Sequence, residues 1–404
     1  MASLLKGLLA VQPVKELEDS GHGDRLKRVL TARSLTAIGL GATIGTGIFV
    51  QTGQVAAQHS GPALTISLLI AAIGCGFAAL CYAELAAMLP VSGSAYSYAY
   101  ASLGEALAWF IGWNLALEYL MSASAVAVSW SGYVVNVVDD LFGVHLPSVL
   151  TNAPLGRGAD GSLGFTGAWI NVPAIAIVVA LGWVCYVGVK QSALLNSVMV
   201  ALKVSVIVLF IVAGLSFIDA GNWHPYMPAN TGKFGQFGVS GVLQGAAIIF
   251  FSYIGFDTAS TTALEARNPQ RDVPIGIIAS LIISTVLYIA MGAVLTGVVS
   301  YTKLDVDAPV AVALDAHPQL HWMGLIVKVG AIIGMSSIVL MSLLGQPRIL
   351  LAMADDGLLP AYFKKVHPRH RTPHVATAIT VVIAAIIAGL FPLDVLGELI
   401  SIGI

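Results

Sequence analysis

Charge is scarce in this chain. Only 10% of its 404 residues are Asp, Glu, Lys or Arg, while 57% are hydrophobic and the mean hydropathy is +0.87. Soluble domains carry about a quarter charged residues, so the composition excludes an ordinary water-soluble globule and points to a polytopic membrane protein. Cysteine is also scarce: Cys75, Cys81 and Cys185 all lie in apolar runs. That excludes a disulfide framework or thiolate metal site and leaves small buried hydrophobes. The start, "MASLLKGLLAVQPVKELEDSGHGDRLKR", has no signal-peptide core or small-residue cleavage site. A glycine-rich phosphate loop with its lysine is missing, and so is a basic, aromatic-laced face for nucleic acid. The few ionisable groups in apolar runs form no nucleophile–base or metal set, so neither an enzyme nor a cofactor is expected.

What is present is a series of apolar runs long enough to cross a bilayer. They fall at about 34–57, 62–89, 97–136, 169–188, 194–217, 238–264, 274–299, 322–350 and 374–391, with a tenth opening at about 395. The third begins with a polar, Tyr-rich approach, "SGSAYSYAYASLGE", so its membrane part is expected from near Leu103. The connections 137–168 and 218–237 are rich in Gly, Pro, Asn and Asp and read as loops. Residues 1–33 read as a cytoplasmic segment and 34–404 as the transmembrane domain.

Lysine and arginine set the orientation. With the N-terminus inside, 14 of the 19 basic residues fall on the cytoplasmic side and three, Arg157, Lys233 and Lys303, fall outside. The remaining two, Lys203 and Lys328, lie within spans. This bias predicts a cytoplasmic N-terminus and a multi-pass protein of the cell (inner) membrane. The last run, "LDVLGELISIGI", stops about a dozen residues into the hydrocarbon. Each unsatisfied backbone group there costs several kcal/mol. The sequence is therefore expected to be a piece of a longer chain, or to end in a short re-entrant segment buried in protein.

Span 1 carries "LGATIGTGIFVQTG", residues 40–53, with four glycines at membrane depth. Irregular backbone survives there only where protein or a water-filled cavity covers it. An unwound stretch exposes N–H groups at the start of the next half-helix, which suit a carboxylate. It also exposes C=O groups at the end of the preceding half-helix, which suit an ammonium. Together they make a receptor for a free α-amino acid. The alternative is small-residue helix packing through Gly41-x-x-x-Gly45. A second interruption, Ser252 to Asp257, sits in span 6, five spans after the first. Paired interruptions in matching positions of two halves point to a transporter site. Spans 1–5 (about 34–217) and 6–10 (about 238–404, incomplete) would then be inverted repeats.

Several motifs resemble one family: "GATIGTGIFV", "CYAELAAMLPVSGSAYSYAY", "GWNLALEY", "FFSYIGFDTASTTALEARNPQRDVPIGI" and "GQPRILLAMADDGLLP". They are similar to the amino acid–polyamine–organocation transporters, in the branch of bacterial relatives of cationic amino acid transporters. The resemblance runs over nearly the whole chain. It implies an all-α membrane protein of LeuT-type 5+5 inverted-repeat fold, with spans 1 and 6 broken mid-membrane. It implies that the substrate carboxylate meets the amides of Gly45, Thr46 and Gly47. The substrate amino group would meet carbonyls at Thr43, Ile44, Phe251, Ser252 and Ile254, with Phe251 closing as a lid. That family normally has about twelve spans, which agrees with the expectation of a longer chain.

Lys203 stands about ten residues into span 5. A lysine at the bilayer centre costs roughly 2.5–3.5 kcal/mol on insertion scales, and such groups are functional by default. Snorkelling is the alternative, but neither interface is near. In similar proton-coupled family members a span-5 lysine takes the place of sodium, contacting carbonyls of span 1 and a hydroxyl of span 8. Ser336 and Ser337 fit that last role. Protonation would hold spans 1, 5 and 8 together, and deprotonation would release them. Glu118 in span 3 is a candidate side-chain-pocket residue selecting cationic substrates, or else a packing carboxylate. Asp257 is expected to brace the second break or couple to Glu118. Glu84 is expected to pair with a base such as Arg348 or to bond the "SGSAYSY" loop. Relatives often carry two acids before "RNPQ", whereas here Leu264 precedes Glu265, which weakens an inner acidic pair as selectivity element. Lys328, near the outer end of span 8, either snorkels or places positive charge by the outer vestibule. The histidines of "HPRHRTPH" (367–374) read as part of a positive-inside anchor and not a metal site.

The sequence thus predicts a proton-coupled, alternating-access importer of small neutral and/or cationic amino acids. Its partners are the substrate, protons and the lipid bilayer, and it carries no cofactor. An exchanger, a sodium symporter, a sensor or a truncated non-transporting form are the alternatives. A channel fits poorly, because pores use rings of like groups. Oligomeric state is left open.

Overall fold

The computed structural model describes residues 26–45, 47–89, 91, 93–157, 163–306, 309–393 and 395–396, without the side chain of Phe251. Twelve α-helices carry the described chain: α1 (Ala32–Thr43), α2 (Leu64–Met88), α3 (Ala95–Ser102), α4 (Glu105–Phe142), α5 (Val172–Val187), α6 (Val189–Gly214), α7 (Gly238–Phe250), α8 (Thr258–Thr261), α9 (Pro269–Val298), α10 (Pro309–Asp315), α11 (Met323–Asp355) and α12 (His374–Leu390). A further four-residue helical turn at each of Thr52–Val55 and Ser148–Thr151 belongs to longer stretches described below. One two-stranded antiparallel hairpin, β1 (Leu155–Arg157) with β2 (Leu163–Phe165), is the sole sheet among the described residues.

Five described helical stretches are long and apolar enough to cross a bilayer: Gly47–Met88, α4, Val189–Phe217, α9 and α11. Three shorter apolar helices, α5, α7 and α12, join them. The protein is an all-α membrane protein. Its lipid-facing surface explains the composition: Phe77 and Leu80 on α2, Trp183 on α5 and Val286 on α9 are exposed. In water such a surface would be an aggregation liability.

The core is built around a few extensive helix–helix pairings. α4 and α11 pack extensively on each other, α9 packs on both α1 and α2, and α6 lies against α1 and α11. Side-chain caps fix where these helices start. Thr31 Oγ1 accepts from Ser34 N (3.4 Å) at the head of α1, and Asn171 Oδ1 accepts from Ala174 N (3.1 Å) at the head of α5. Asn171 Oδ1 also accepts from Ser131 Oγ on α4 (2.7 Å), so one amide both caps α5 and docks it.

Several boundaries differ from the expectation. The connection 137–168 holds the last turns of α4, the turn Ser148–Thr151 and the hairpin. Its polar composition hid a short pairing between two Gly-containing strands, which propensity alone does not favour. α6 begins at Val189, directly after α5, because Gly188 alone makes the corner. α3 and α4 are divided at Leu103–Gly104, as the polar approach suggests. The tenth span falls almost wholly outside the described residues.

Candidate functional site at two helix breaks

Two apolar helices stop in mid-course. α1 ends at Thr43, and Ile44 is extended (φ −78°, ψ 106°). Helical turns resume at Gly47 and run to Ser60 in a mixture of wide π and ordinary turns. α7 ends at Phe250, one tight turn covers Phe251–Tyr253, and α8 opens at Thr258.

The glycines let the two breaks touch. A Cβ on Gly47 would sit 2.5 Å from Ser252 Cβ and 3.1 Å from its Cα. Gly255 has φ +121°, and a Cβ there would sit 2.8–2.9 Å from backbone and Cβ atoms of Ala42 and Thr43. A side chain at either position would push one break off the other. The close approach brings Gly47 beside Ser252 and Gly255 beside Ala42 and Thr43, while Gly45 faces Ile338 and the Ile44 carbonyl faces Lys203. Thr46 lies outside the described residues, as does the side chain of Phe251, so the expected lid is not described.

Some of the expected carbonyls already have donors. Tyr288 of α9 donates its hydroxyl to both Thr43 O (2.9 Å) and Ser252 O (3.0 Å), tying the breaks together. A carbonyl has two lone pairs, so each keeps capacity for a ligand donor. Tyr288 was not anticipated from sequence, although a lone tyrosine amid "STVLYIAMG" was a signal: a buried phenol needs a partner. Across the breaks, Ser252 Oγ also donates to Gln51 Oε1 (2.5 Å).

Lys203 of α6 is fully buried behind the first break. Its Nζ donates to Ile44 O (2.6 Å), Gly41 O (3.1 Å) and Ser337 Oγ on α11 (2.7 Å). Three donors on an ammonium meet three acceptors, so the cation is saturated without a carboxylate. Ser337 holds the position considered for either serine. Ser336 instead accepts from Trp130 Nε1 of α4 (2.8 Å).

Next to the second break, Glu118 and Asp257 line one small cavity of about 50 Å³ with Ala42, Ile254, Ile338 and Ser342. Tyr119 OH donates to Asp257 Oδ2 (3.3 Å) and bonds Thr258 Oγ1 (3.2 Å). Tyr119 therefore fixes Asp257 against the start of α8. A cavity of that size has room for a few waters only.

One expectation about a basic residue is corrected. Arg348 pairs with Glu265 and not with Glu84, which is exposed. The pair is bidentate, Nη2–Oε1 at 2.8 Å and Nε–Oε2 at 3.0 Å, with both side chains buried. Sequence distance concealed it: Glu265 lies beyond α8, where the chain pairs with residues before α1. Val29 N and Leu30 N both donate to Glu265 O, and Arg267 N donates to Leu30 O. Lys328 lines a cavity at the end of α4, where its ammonium pairs with Asp140. At the opposite end of the molecule, His367, His370 and His374 gather around Tyr186, and His367 Nδ1 accepts from Arg369 N and His370 N. Among the described residues no three His, Cys, Asp or Glu side chains converge as metal ligands.

Comparison with known proteins shows the family. Residues 30–404 match the family described as amino acid permease. The chain is 44% identical over 392 residues to the branched-chain amino acid permease BcaP of Bacillus subtilis, covering 96% of this chain and 81% of that one. It is 44% identical over 399 residues to the methylthioribose transporter of the same organism, covering 99% and 83%. It is 39% identical over 399 residues to the vacuolar cationic amino acid transporter 2 of Arabidopsis thaliana, covering 99% of this chain and 61% of that relative.

Proposed function

Because the chain belongs to the amino acid permease family, related to the cationic amino acid transporter branch and not to any enzyme, we propose that it is a proton-coupled, secondary active importer of small neutral amino acids. The fold we propose is the LeuT-type 5+5 inverted repeat, with the N-terminus in the cytoplasm and the protein in the cell membrane. The substrate lies at the crossing of the two breaks. Its carboxylate meets the amides of Gly45, Thr46 and Gly47. Its ammonium meets the spare lone pairs of Thr43, Ile44, Phe251, Ser252 and Ile254.

The observation that carries the proposal is the saturated ammonium of Lys203. It binds two carbonyls of the first break and one hydroxyl of α11. A protonated amine therefore joins three elements around the site. The neutral amine has one proton fewer to donate and loosens that junction, freeing α1 to move against α6 and α11. Proton binding and the position of α1 are thereby linked, which is what symport by alternating access needs. A bound sodium would need the same carbonyls, so occupation by Lys203 favours protons.

The neutral class is supported by the likeness to a branched-chain amino acid permease. A second reading, cationic substrates, is favoured by Glu118 and Asp257 on one cavity beside the second break. The test is uptake of radiolabelled leucine and arginine into proteoliposomes under a pH gradient and then a sodium gradient. Leucine accumulation on the pH gradient alone supports the proposal. Arginine preference moves it to the second reading, and a strict need for sodium overturns the proton coupling.

A further inference from the structure

A second charged cavity lies between the end of α4 and the start of α11. It has a volume of about 400 Å³ and is lined by Phe49, Tyr133, Asp139, Asp140, Lys328 and Ala331, among others. That volume falls in the range of small-molecule sites, about 300–1,000 Å³. Lys328 pairs with Asp140 across it. The second carboxylate, Asp139, is held by the exposed His145 (Oδ1–Nδ1 2.8 Å).

Helix stability does not account for these charges. Asp139 and Asp140 occupy the last turn of α4, where the helix dipole disfavours anions. The Lys328–Asp140 pair is itself half-exposed, at 37% and 50%. Pairs this exposed to solvent add little to stability. What the arrangement does provide is a cation and two anions on facing walls of one cavity.

The cavity also borders the central site. Phe49, on its wall, follows Gly47 by two residues. A Cβ on Gly334 would lie 3.6 Å from the Phe49 ring and 3.9 Å from the Lys203 stem, so one glycine separates the ring from the buried lysine.

We infer that Lys328, Asp140 and Asp139 form an outer docking site for a zwitterion, the free α-amino acid, before it passes Phe49 to the breaks. The inference rests on the amino acid reading of the preceding subsection. The α-carboxylate takes Lys328 and the α-ammonium takes the two aspartates, so the incoming dipole replaces the internal ion pair charge for charge. A uniformly cationic or anionic vestibule would concentrate ions of one sign. This mixed one favours solutes that carry both charges and gives an uncharged solute nothing in exchange for the broken pair.

The test uses the full chain in proteoliposomes, with leucine as the probe in uptake and in equilibrium binding. The variants are Lys328→Met, Asp140→Asn and the exchanged pair Lys328→Asp with Asp140→Lys. The inference expects two leucines bound per wild-type chain at saturation and one in each single variant. It expects KM to rise at least fivefold in the single variants with kcat unchanged, and to return within twofold in the exchanged pair. One leucine per wild-type chain together with an unaltered KM in all variants would overturn the outer site and leave the central reading intact. A wild-type chain that neither binds nor moves leucine or arginine would overturn the amino acid reading and the outer site with it.

Discussion

At the scale of single residues, two side chains organise the centre of the molecule. Lys203 was visible in the sequence because a lysine ten residues into an apolar run has no cheap explanation. Its partners were only partly visible, since Gly41 and Ile44 act through carbonyls that any residue carries. Tyr288 was harder to see, because its role depends on two breaks meeting in space. Removing its hydroxyl takes away the single proton that the two buried carbonyls share, at about 0.5–1.5 kcal/mol for that hydrogen bond. Tyr288→Phe is therefore expected to lower the melting temperature by a few degrees and to slow leucine uptake several-fold. Unchanged stability and uptake together would remove Tyr288 from the account. Arg348 makes a different kind of case. Deleting one partner of a buried pair costs about 3–5 kcal/mol, whereas an apolar replacement of both is often tolerated. Arg348→Ala is expected to unfold the protein at markedly lower temperature in a thermal-shift assay, and Arg348→Met with Glu265→Leu to regain most of the loss.

At the scale of elements, the two breaks and their contact shape the candidate site. Their existence was legible, because glycine-rich interruptions in two long apolar runs stand out against any helical pattern. Their contact was not legible, because crossing geometry leaves no mark on periodicity. The structure makes Gly255 the more stringent of the two touching glycines, since it combines a positive φ with backbone atoms of Ala42 and Thr43 at 2.8–2.9 Å from an added Cβ. Gly255→Ala is expected to reduce uptake at least tenfold while the protein still elutes as a folded monodisperse species. Gly132→Ala, where a Cβ meets nothing within 4 Å, is the matched control and is expected to behave as wild type. Equal effects at both positions would mean that helix propensity, not contact between the breaks, explains the loss.

At the scale of the whole molecule, the all-α membrane class followed from composition, but the layering did not. α9 is sandwiched between α1 and α2, and α11 runs along α4, with nothing in the sequence to announce either pairing. The Glu265–Arg348 pair, 83 residues apart, belongs to the same class of long-range fact. Orientation remains an argument from lysine and arginine, and cysteine accessibility tests it. In a Cys81→Ser background, Phe165→Cys on the hairpin is expected to react with an impermeant maleimide on intact cells. Lys365→Cys is expected to react only after the membrane is opened, and the reverse pattern would invert the topology. On the proposed function, one buried ammonium on α6 holds the first break and α11 together and so links proton binding to movement of the whole molecule. The most direct measurement is leucine transport by Lys203→Ala in proteoliposomes, comparing accumulation on a pH gradient with exchange at equal pH. The account expects accumulation to vanish and leucine–leucine exchange to persist. Accumulation on the pH gradient at the wild-type rate would contradict it.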